Sequence, residues 1–490
     1  SPMIAVLLAL TANAQEAPAT PYGEIRYIGS QMSDFEVDAE GQSVGQSTWL
    51  DQRFRLGTIG RIPGILEATL EFDLLTGQLV GDVWDIPGDV DEQGRGVHDV
   101  FTAQGIIPRR LSVETYLGDY QLELGLVSST WGLGIVANDG SVDPLFGRAD
   151  FGDRSVRLRA THIPTSDGPP PRTTLLTTFA LDFGIADDFA RYTDGQRTGQ
   201  AIFSLLALGR RGKKVGTYVV VRQQFEAQEG RQTQAFVTDG YIDLPWELNG
   251  GWTLRTAAEV AGILGRTNRA TTYNAREWIG VSSLGLAAVG TLANPDEQLK
   301  VHLFTGYASG DGKPDDGFNR DFTFDRDFGV GMVLFDQLMG AIDANTYNLL
   351  TDPGIAAQPP DGVDALVTEG AFRRSAYIQP AVEVRPHDWV TLKTGVLFAV
   401  ATAPYAHPFY SYRGGGTPYN QHDQPTDGRL LGTEIDWGVG LMMPEKEDAE
   451  EVTPRAGLEL QGGHLFPGPP LRGKNTEPIS LVTGTVRLIW

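Results

Sequence analysis

The chain has 490 residues and a formal charge of -23, with 62 acidic against 39 basic side chains, which argues against nucleic acid or anionic surfaces as partners. It has no cysteine, so disulfide frameworks and thiolate metal sites are excluded. Beyond the extreme N-terminus it has no apolar run of about 18 residues, so membrane-spanning helices are excluded; spanning strands, which need only about 10 alternating residues, are not.

Residues 1–14 read as the remnant of an export signal, with an apolar core at 3–10 and the small-residue cleavage site Ala12-Asn13-Ala14. Residues 15–490 then form one unit. Segments alternating apolar and polar follow in chain order at 22–33, 47–59, 64–76, 106–117, 120–128, 154–162, 173–182, 200–210 and 214–224. They continue at 232–244, 252–265, 278–291, 298–307, 376–385, 389–401, 431–441, 452–465 and 480–490. In the third segment Leu66, Ala68, Leu70, Phe72 and Leu74 share one face, opposite Glu67, Thr69, Glu71 and Asp73. In the last, Val482, Gly484, Val486 and Leu488 alternate with Thr483, Thr485 and Arg487, and the segment stops on Trp490.

The connections carry an independent signal. Short ones (60–63, 118–119, 163–172, 211–213, 245–251, 292–297, 386–388 and 442–451) alternate with longer ones. The longer ones are 34–46, 77–105, 129–153, 183–199, 225–231, 266–277, 308–375, 402–430 and 466–479. Eighteen strands with alternating short and long connections predict one all-β unit: a transmembrane antiparallel β-barrel of the bacterial outer membrane, with short periplasmic turns and long extracellular loops. Lipid and lipopolysaccharide are then its surroundings. Trp49, Trp131, Trp246, Trp252, Trp278, Trp389 and Trp490 lie near strand ends, where an aromatic girdle would sit. Residues 336–350 have helical spacing inside the 308–375 loop, as a plug or a lid.

Acid is concentrated in the connections: Asp82, Asp85, Asp89, Asp91, Glu92 and Asp99 in one loop, and Asp311, Asp315, Asp316, Asp321, Asp325 and Asp327 in another. Within strands, charges of both signs recur on one face. A lysine or arginine facing lipid near the midplane costs about 2–4 kcal/mol, so these side chains must face the lumen. The pore-lining candidates are Arg53, Arg55, Glu71, Asp73, Arg157, Arg159, Arg255, Glu259, Lys300, Glu383, Arg385, Lys393, Glu434, Asp436 and Arg487. Opposite charges on neighbouring strands tie the wall together, and the same groups would guide a charged or hydroxylated solute.

Other chemistry has little support. Asp311, Asp315 and Asp316 offer weak calcium ligands, but Lys313 and Asp316 stand where a calcium loop needs a ligand and a glycine, so no metal site is expected. Histidines 98, 162, 302, 387, 407, 422 and 464 are scattered without metal or triad spacing, so neither an enzyme nor a cofactor is expected.

The run Gly306, Tyr307, Ala308, Ser309, Gly310 and Asp311, continuing to Gly317 and then Phe322 and Phe324, resembles the signature of alginate-export-type outer-membrane proteins. Residues 431–436, Glu459 and the stretch 462–468 resemble that family's closing strands. The resemblance covers mainly 298–490. It implies an eighteen-stranded barrel that passes a polysaccharide, with a periplasmic export partner as a further implication. The mixed charges of this lumen turn the expectation from a polyuronate towards a neutral or mixed-charge glycan, or small solutes. The alternative is a structural or adhesive barrel whose lumen is plugged and whose acidic loops bind partners.

Overall fold

The computed structural model describes residues 19–81, 104–149, 152–164, 173–226, 230–269, 278–313, 316–355, 370–426, 428–444, 454–473 and 476–490. The proposed signal remnant and most of the acidic 77–105 loop lie outside these residues, as does Asp315. The long strands are β1 (Ala19–Met32), β2 (Ser47–Ile62), β3 (Leu66–Gly81), β4 (Gln104–Leu117), β5 (Tyr120–Val127) and β6 (Arg154–His162). Then come β7 (Thr173–Asp187), β8 (Gln196–Gly209), β9 (Lys214–Glu226), β10 (Arg231–Glu247), β11 (Thr253–Thr267) and β12 (Ile279–Ala293). The circuit ends with β13 (Leu299–Ala308), β14 (Ser375–His387), β15 (Val390–Ala401), β16 (Leu430–Met442), β17 (Arg455–Pro467) and β18 (Ile479–Ile489).

Each strand pairs antiparallel with its chain neighbours, and β18 pairs with β1 from Glu24↔Ile489 to Met32↔Leu481. The sheet therefore has no free edge, which is the condition for a backbone to cross a bilayer in extended form. The main-chain N–H of Gly23 donates to Trp490 O at 2.9 Å, and that of Trp490 returns the bond at 3.1 Å. All eighteen sequence-predicted strands are present, with ends displaced by a few residues. The strands run longer than alternation alone suggests: β10 has 17 residues, whereas a crossing needs only about 9–11. The surplus continues as paired hairpin above the membrane, where both faces may be polar without cost and alternation loses its meaning.

Outward faces carry exposed apolar side chains, among them Leu70, Leu124, Leu158, Phe179, Phe203, Val221, Phe236, Leu264, Leu303, Phe398 and Val486. An apolar surface left exposed all round is stable only in lipid. Trp246, Trp278 and Trp389 are exposed at its margins. Two predicted girdle residues depart from it. Trp49 is buried on the inner side, and Trp131 lies in the lumen, stacked on Tyr218 with ring centroids 5.2 Å apart. Position near a strand end does not fix the face. Trp49 shares the inward face of β2 with Arg53 and Arg55, and Trp131 sits on a loop that folds into the barrel.

The lumen is divided. Along β1 to β6 the inner wall is charged, with Arg26, Arg53, Arg55, Arg109 and Arg157 all buried. Along β11 to β15 it carries a row of small apolar side chains, Ala261, Ala287, Ala308, Ala381 and Ala399. Against this second arc the 309–374 connection packs an apolar core. Phe324 meets Phe372 at 4.8 Å, and Phe372 meets Phe335 at 4.9 Å and Tyr377 at 5.1 Å. The sequence-predicted helix is present as α1 (Gly340–Thr351), following a wider turn at Leu334–Met339. Nearly its whole first two turns are buried, from Gly340 to Thr346, so it needs no polar face.

The 402–429 connection holds α1 from the other side through α2 (Pro408–Arg413), with Phe409 and Tyr410 against Leu349 and Leu350. Here His407 Nε2 lies 2.9 Å from Thr346 Oγ1. Burial, with His422 adding to it, pushes His407 down to about 3. An imidazole that stays neutral in the fold but takes a proton near 6.5 when released withdraws stability as pH falls below that value. At pH 5 the loss is about 2 kcal/mol. Hydrogen exchange of α1, corrected for intrinsic rates, should therefore show less protection at pH 5 than at pH 7.5, and His407→Gln should flatten that difference.

Candidate functional site

The fifteen pore-lining candidates all project from the inner face of the wall, but they do not form one site. Arg55 forks onto Asp73 at 2.7 and 2.9 Å, and Arg157 onto Asp182 at 2.7 and 2.6 Å. Glu71 lies 3.9 Å from Arg55, and Arg159 meets Glu123 at 3.0 Å. Towards the turn end, Arg255 pairs with Asp243, Lys300 with Glu297, and Arg385 with Glu383. Lys393 reaches Glu459 on β17 at 2.6 Å. These bidentate and cross-strand pairs neutralise charges that would otherwise be stranded in the wall. Asp311 and Asp316 are turned to Arg320, at 3.6 and 2.9 Å. Among the described residues no cluster of three acids or histidines has a metal-holding arrangement.

Glu259, Glu434 and Asp436 do something else. Two connections fold into the lumen, and wall carboxylates grip their backbones. Glu434 is fully buried; its Oε1 accepts from the N–H groups of Met332 at 2.5 Å and Val333 at 2.8 Å, and its Oε2 from Leu334 at 2.7 Å. Those three N–H groups open the turn leading to α1, where a negative charge is favoured. Asp436, two residues on, accepts from Gln379 Nε2 at 3.1 Å. Across the barrel, Glu259 Oε2 accepts from the N–H groups of Leu133 and Gly134, the latter at 3.0 Å. Beside it the indole of Trp131 donates to Asp239 at 2.8 Å.

Both grips need glycine. Gly132 has φ +61°, and a Cβ there would stand 2.5 Å from the Glu259 carboxylate. Gly132→Ala should loosen the 128–153 loop by about 1–3 kcal/mol. Faster protease cleavage within that loop, in a barrel still resistant to unfolding, is the expected outcome.

The two inward connections also meet each other. Asp325 Oδ2 accepts from Asn138 N at 2.9 Å, Asp325 N donates to Ile135 O at 3.0 Å, and Asp327 accepts from Gly152 N. Burial, reinforced by Asp188, Asp153 and Asp327, holds Asp325 well above the usual carboxylate range. Between them and the β1–β18 seam lies a cavity of about 60 Å³. Arg26, Arg148 and Arg487 face it together with Asp143, Asp336 and Glu459.

At its centre Asp143, from the 128–153 loop, bridges two guanidinium groups: Arg26 Nη1 at 3.1 Å and Arg487 Nη2 at 2.5 Å. Glu24 lies 3.0 Å from Arg26, 3.1 Å from Arg487 and 3.3 Å from Arg53. Arg148 is carried by Asp51 at 2.8 Å, and Gly147 N donates to Gln461 Oε1 at 3.1 Å. Of this site, the reading from sequence contains Arg53 and Arg487 but leaves out Glu24, Arg26, Asp143 and Arg148. Glu24 and Arg26 carry the same alternation signal in β1. The two loop residues carry none.

No protein-family model and no curated protein matches the chain. Solved structures do. The chain superposes on the crystal structure of Acinetobacter baumannii OccAB1 with a TM-score of 0.51 at 11% identity, covering 98% of this chain and 99% of that one. A BenF-like porin from Pseudomonas fluorescens gives a TM-score of 0.50 at 8% identity, covering 96% of this chain and 98% of that one. At such identities the likeness is one of fold. With the closed eighteen-stranded wall and its exposed apolar belt, it places the chain in the bacterial outer membrane. Nothing in these comparisons supports the alginate-export family in particular. The run at 306–311 that carries that resemblance ends β13 and begins a loop, where Ser309 Oγ accepts from Leu284 N at 2.9 Å.

Proposed function

We propose that the chain is a passive channel for small hydrophilic solutes, and that its inward-facing charged residues other than Glu259, Glu434 and Asp436 line the route. The observation that carries this reading is the division of the lumen. The 309–374 connection covers the apolar arc, whereas the arginine-rich arc from β1 to β6 meets the 128–153 connection along polar contacts that border the cleft at Asp143, Arg26 and Arg487. Guanidinium groups already ordered by carboxylate partners are preorganised donors for a polar solute moving past them.

A cleft of about 60 Å³ holds only a few water molecules, so passage through it requires the inward connections to shift. The same observation favours a second reading: a structural or adhesive barrel in which those connections stay put as a plug. A polysaccharide would demand a far larger displacement than a small solute, so we infer the small-solute reading first. Liposome swelling distinguishes all three. Swelling with monosaccharides and small organic acids but not with oligosaccharides supports the proposal, swelling with oligosaccharides supports a glycan route, and ion-tight liposomes support the plug.

A further inference from the structure

We propose that the outward rim of β8 to β12, at the long-loop end, binds the phosphorylated headgroup of lipopolysaccharide. This rests on the outer-membrane placement of the barrel and not on what passes through it. Register puts Val221, Phe236 and Leu264 in one row across β9, β10 and β11, all exposed and apolar. Two residues nearer the loops, the same face carries Gln223, Gln234 and Arg266 in the next row. The row beyond begins with Arg197, which pairs with Phe225. Within one step of about 7 Å the surface changes from hydrocarbon-like to amide and guanidinium donors. That step marks the boundary between acyl chains and headgroups.

Among the described residues, Arg197 and Arg266 are not held by carboxylates. In the lumen, arginines are held by carboxylates, as at Arg55–Asp73 and Arg157–Asp182. On the turn-end surface Arg61 holds Glu67 at 2.6 Å. Arg266, in contrast, is propped by neutral groups: its Nε donates to Gln234 Oε1 at 2.8 Å, and its guanidinium lies 4.9 Å from the centre of the Trp278 ring. Arg197 is exposed, with no carboxylate partner among the described residues. In a chain with an acid excess of 23, two lipid-side arginines without carboxylates are set out for an anion that the protein does not supply. The aromatic face orients one guanidinium, and the glutamines add neutral donors suited to phosphate and sugar oxygens. Three strand spacings separate β8 from β11, roughly 14 Å, so both arginines can engage one large headgroup from its two sides.

The test uses the full-length barrel, with rough lipopolysaccharide in mixed micelles as the probe, and counts lipid retained per barrel by native mass spectrometry. The wild type should retain it. Arg197→Gln combined with Arg266→Gln should lose at least tenfold in retention, and enzymatically dephosphorylated lipopolysaccharide should behave with the wild type as the intact lipid does with that variant. Arg210→Gln, at the opposite end, should retain as the wild type does, and replacing Arg197 and Arg266 with lysine should restore part of the binding. Heat-modifiable migration confirms that each variant is folded. Equal retention by the double glutamine variant, equal retention of the dephosphorylated lipid, or an equal loss in Arg210→Gln would each overturn the assignment.

Discussion

Glu434→Ala is expected to open the lumen without unfolding the barrel. The Glu434 carboxylate is the acceptor for the N–H groups of Met332, Val333 and Leu334, and it has no exposure to water. Each buried donor left without an acceptor costs about 1–3 kcal/mol, so the inward connection loses roughly 3–9 kcal/mol of its anchorage, which exceeds what a surface loop commonly holds in reserve. The wall itself is held by backbone ladders that this substitution does not touch. Gly331 supports the same expectation. It has φ +67°, and a Cβ there would sit 2.8 Å from Leu397 and 2.9 Å from Glu434, so backbone and carboxylate fit only as they stand. In planar bilayers the variant should show a several-fold rise in mean conductance, or frequent transitions to a larger open level. A conductance trace indistinguishable from wild type would mean that the connection does not obstruct the route.

Asp143→Ala should change which ions pass. One carboxylate oxygen meets Arg26 and the other Arg487, both poorly exposed, so its removal leaves two guanidinium groups turned towards the cleft with Glu24 between them. A change of about 1.4 kcal/mol in the local preference for anions is a tenfold change in their ratio to cations. We expect the reversal potential in a salt gradient to move by roughly that ratio towards anion selectivity, and the shift to shrink at high salt. The substitution also unties the 128–153 loop from the seam. Asp143→Asn separates the two effects, because it keeps one acceptor oxygen while removing the charge. An unmoved reversal potential in both variants would place the conduction path elsewhere in the lumen.

The wall was legible because lipid punishes error on one face only. Arg53, Arg55 and Arg157 announce their direction, since a guanidinium among acyl chains would cost several kcal/mol, and each alternation between them and an apolar neighbour repeats the message. Short and long connections added the strand polarity. The same rule marks Glu24 and Arg26 in β1, and Asp182 in a β7 that runs five residues past the point where alternation fades. Beyond the belt the rule lapses. The fate of 128–153 and 309–374 depends on partners more than a hundred residues away, such as Asp143 with Arg487 or Met332 with Glu434. Helical spacing at 336–350 identifies α1 but not its direction. What distinguishes a plug from a lid is the row of alanines on the opposite wall, which looks like any other small-residue face until the loop is laid against it.

The seam between β1 and β18 also governs how the molecule comes to exist. Ser480 N donates to the hydroxyl of Ser33 across 447 residues of chain, and the neighbouring ladder is equally remote. The entropy of bringing such ends together grows only logarithmically with length, so the finished seam need not be weak. Its formation is a matter of timing. Until the last strand arrives, β1 and the growing edge each present unpaired N–H and C=O groups beside an apolar face, a template for any passing strand. Folding elsewhere in the wall cannot hide that edge, because its partner in the closed sheet is β18. A lesion within residues 479–490 would therefore leave two open edges on an otherwise paired wall, and with them a surface that recruits foreign strands.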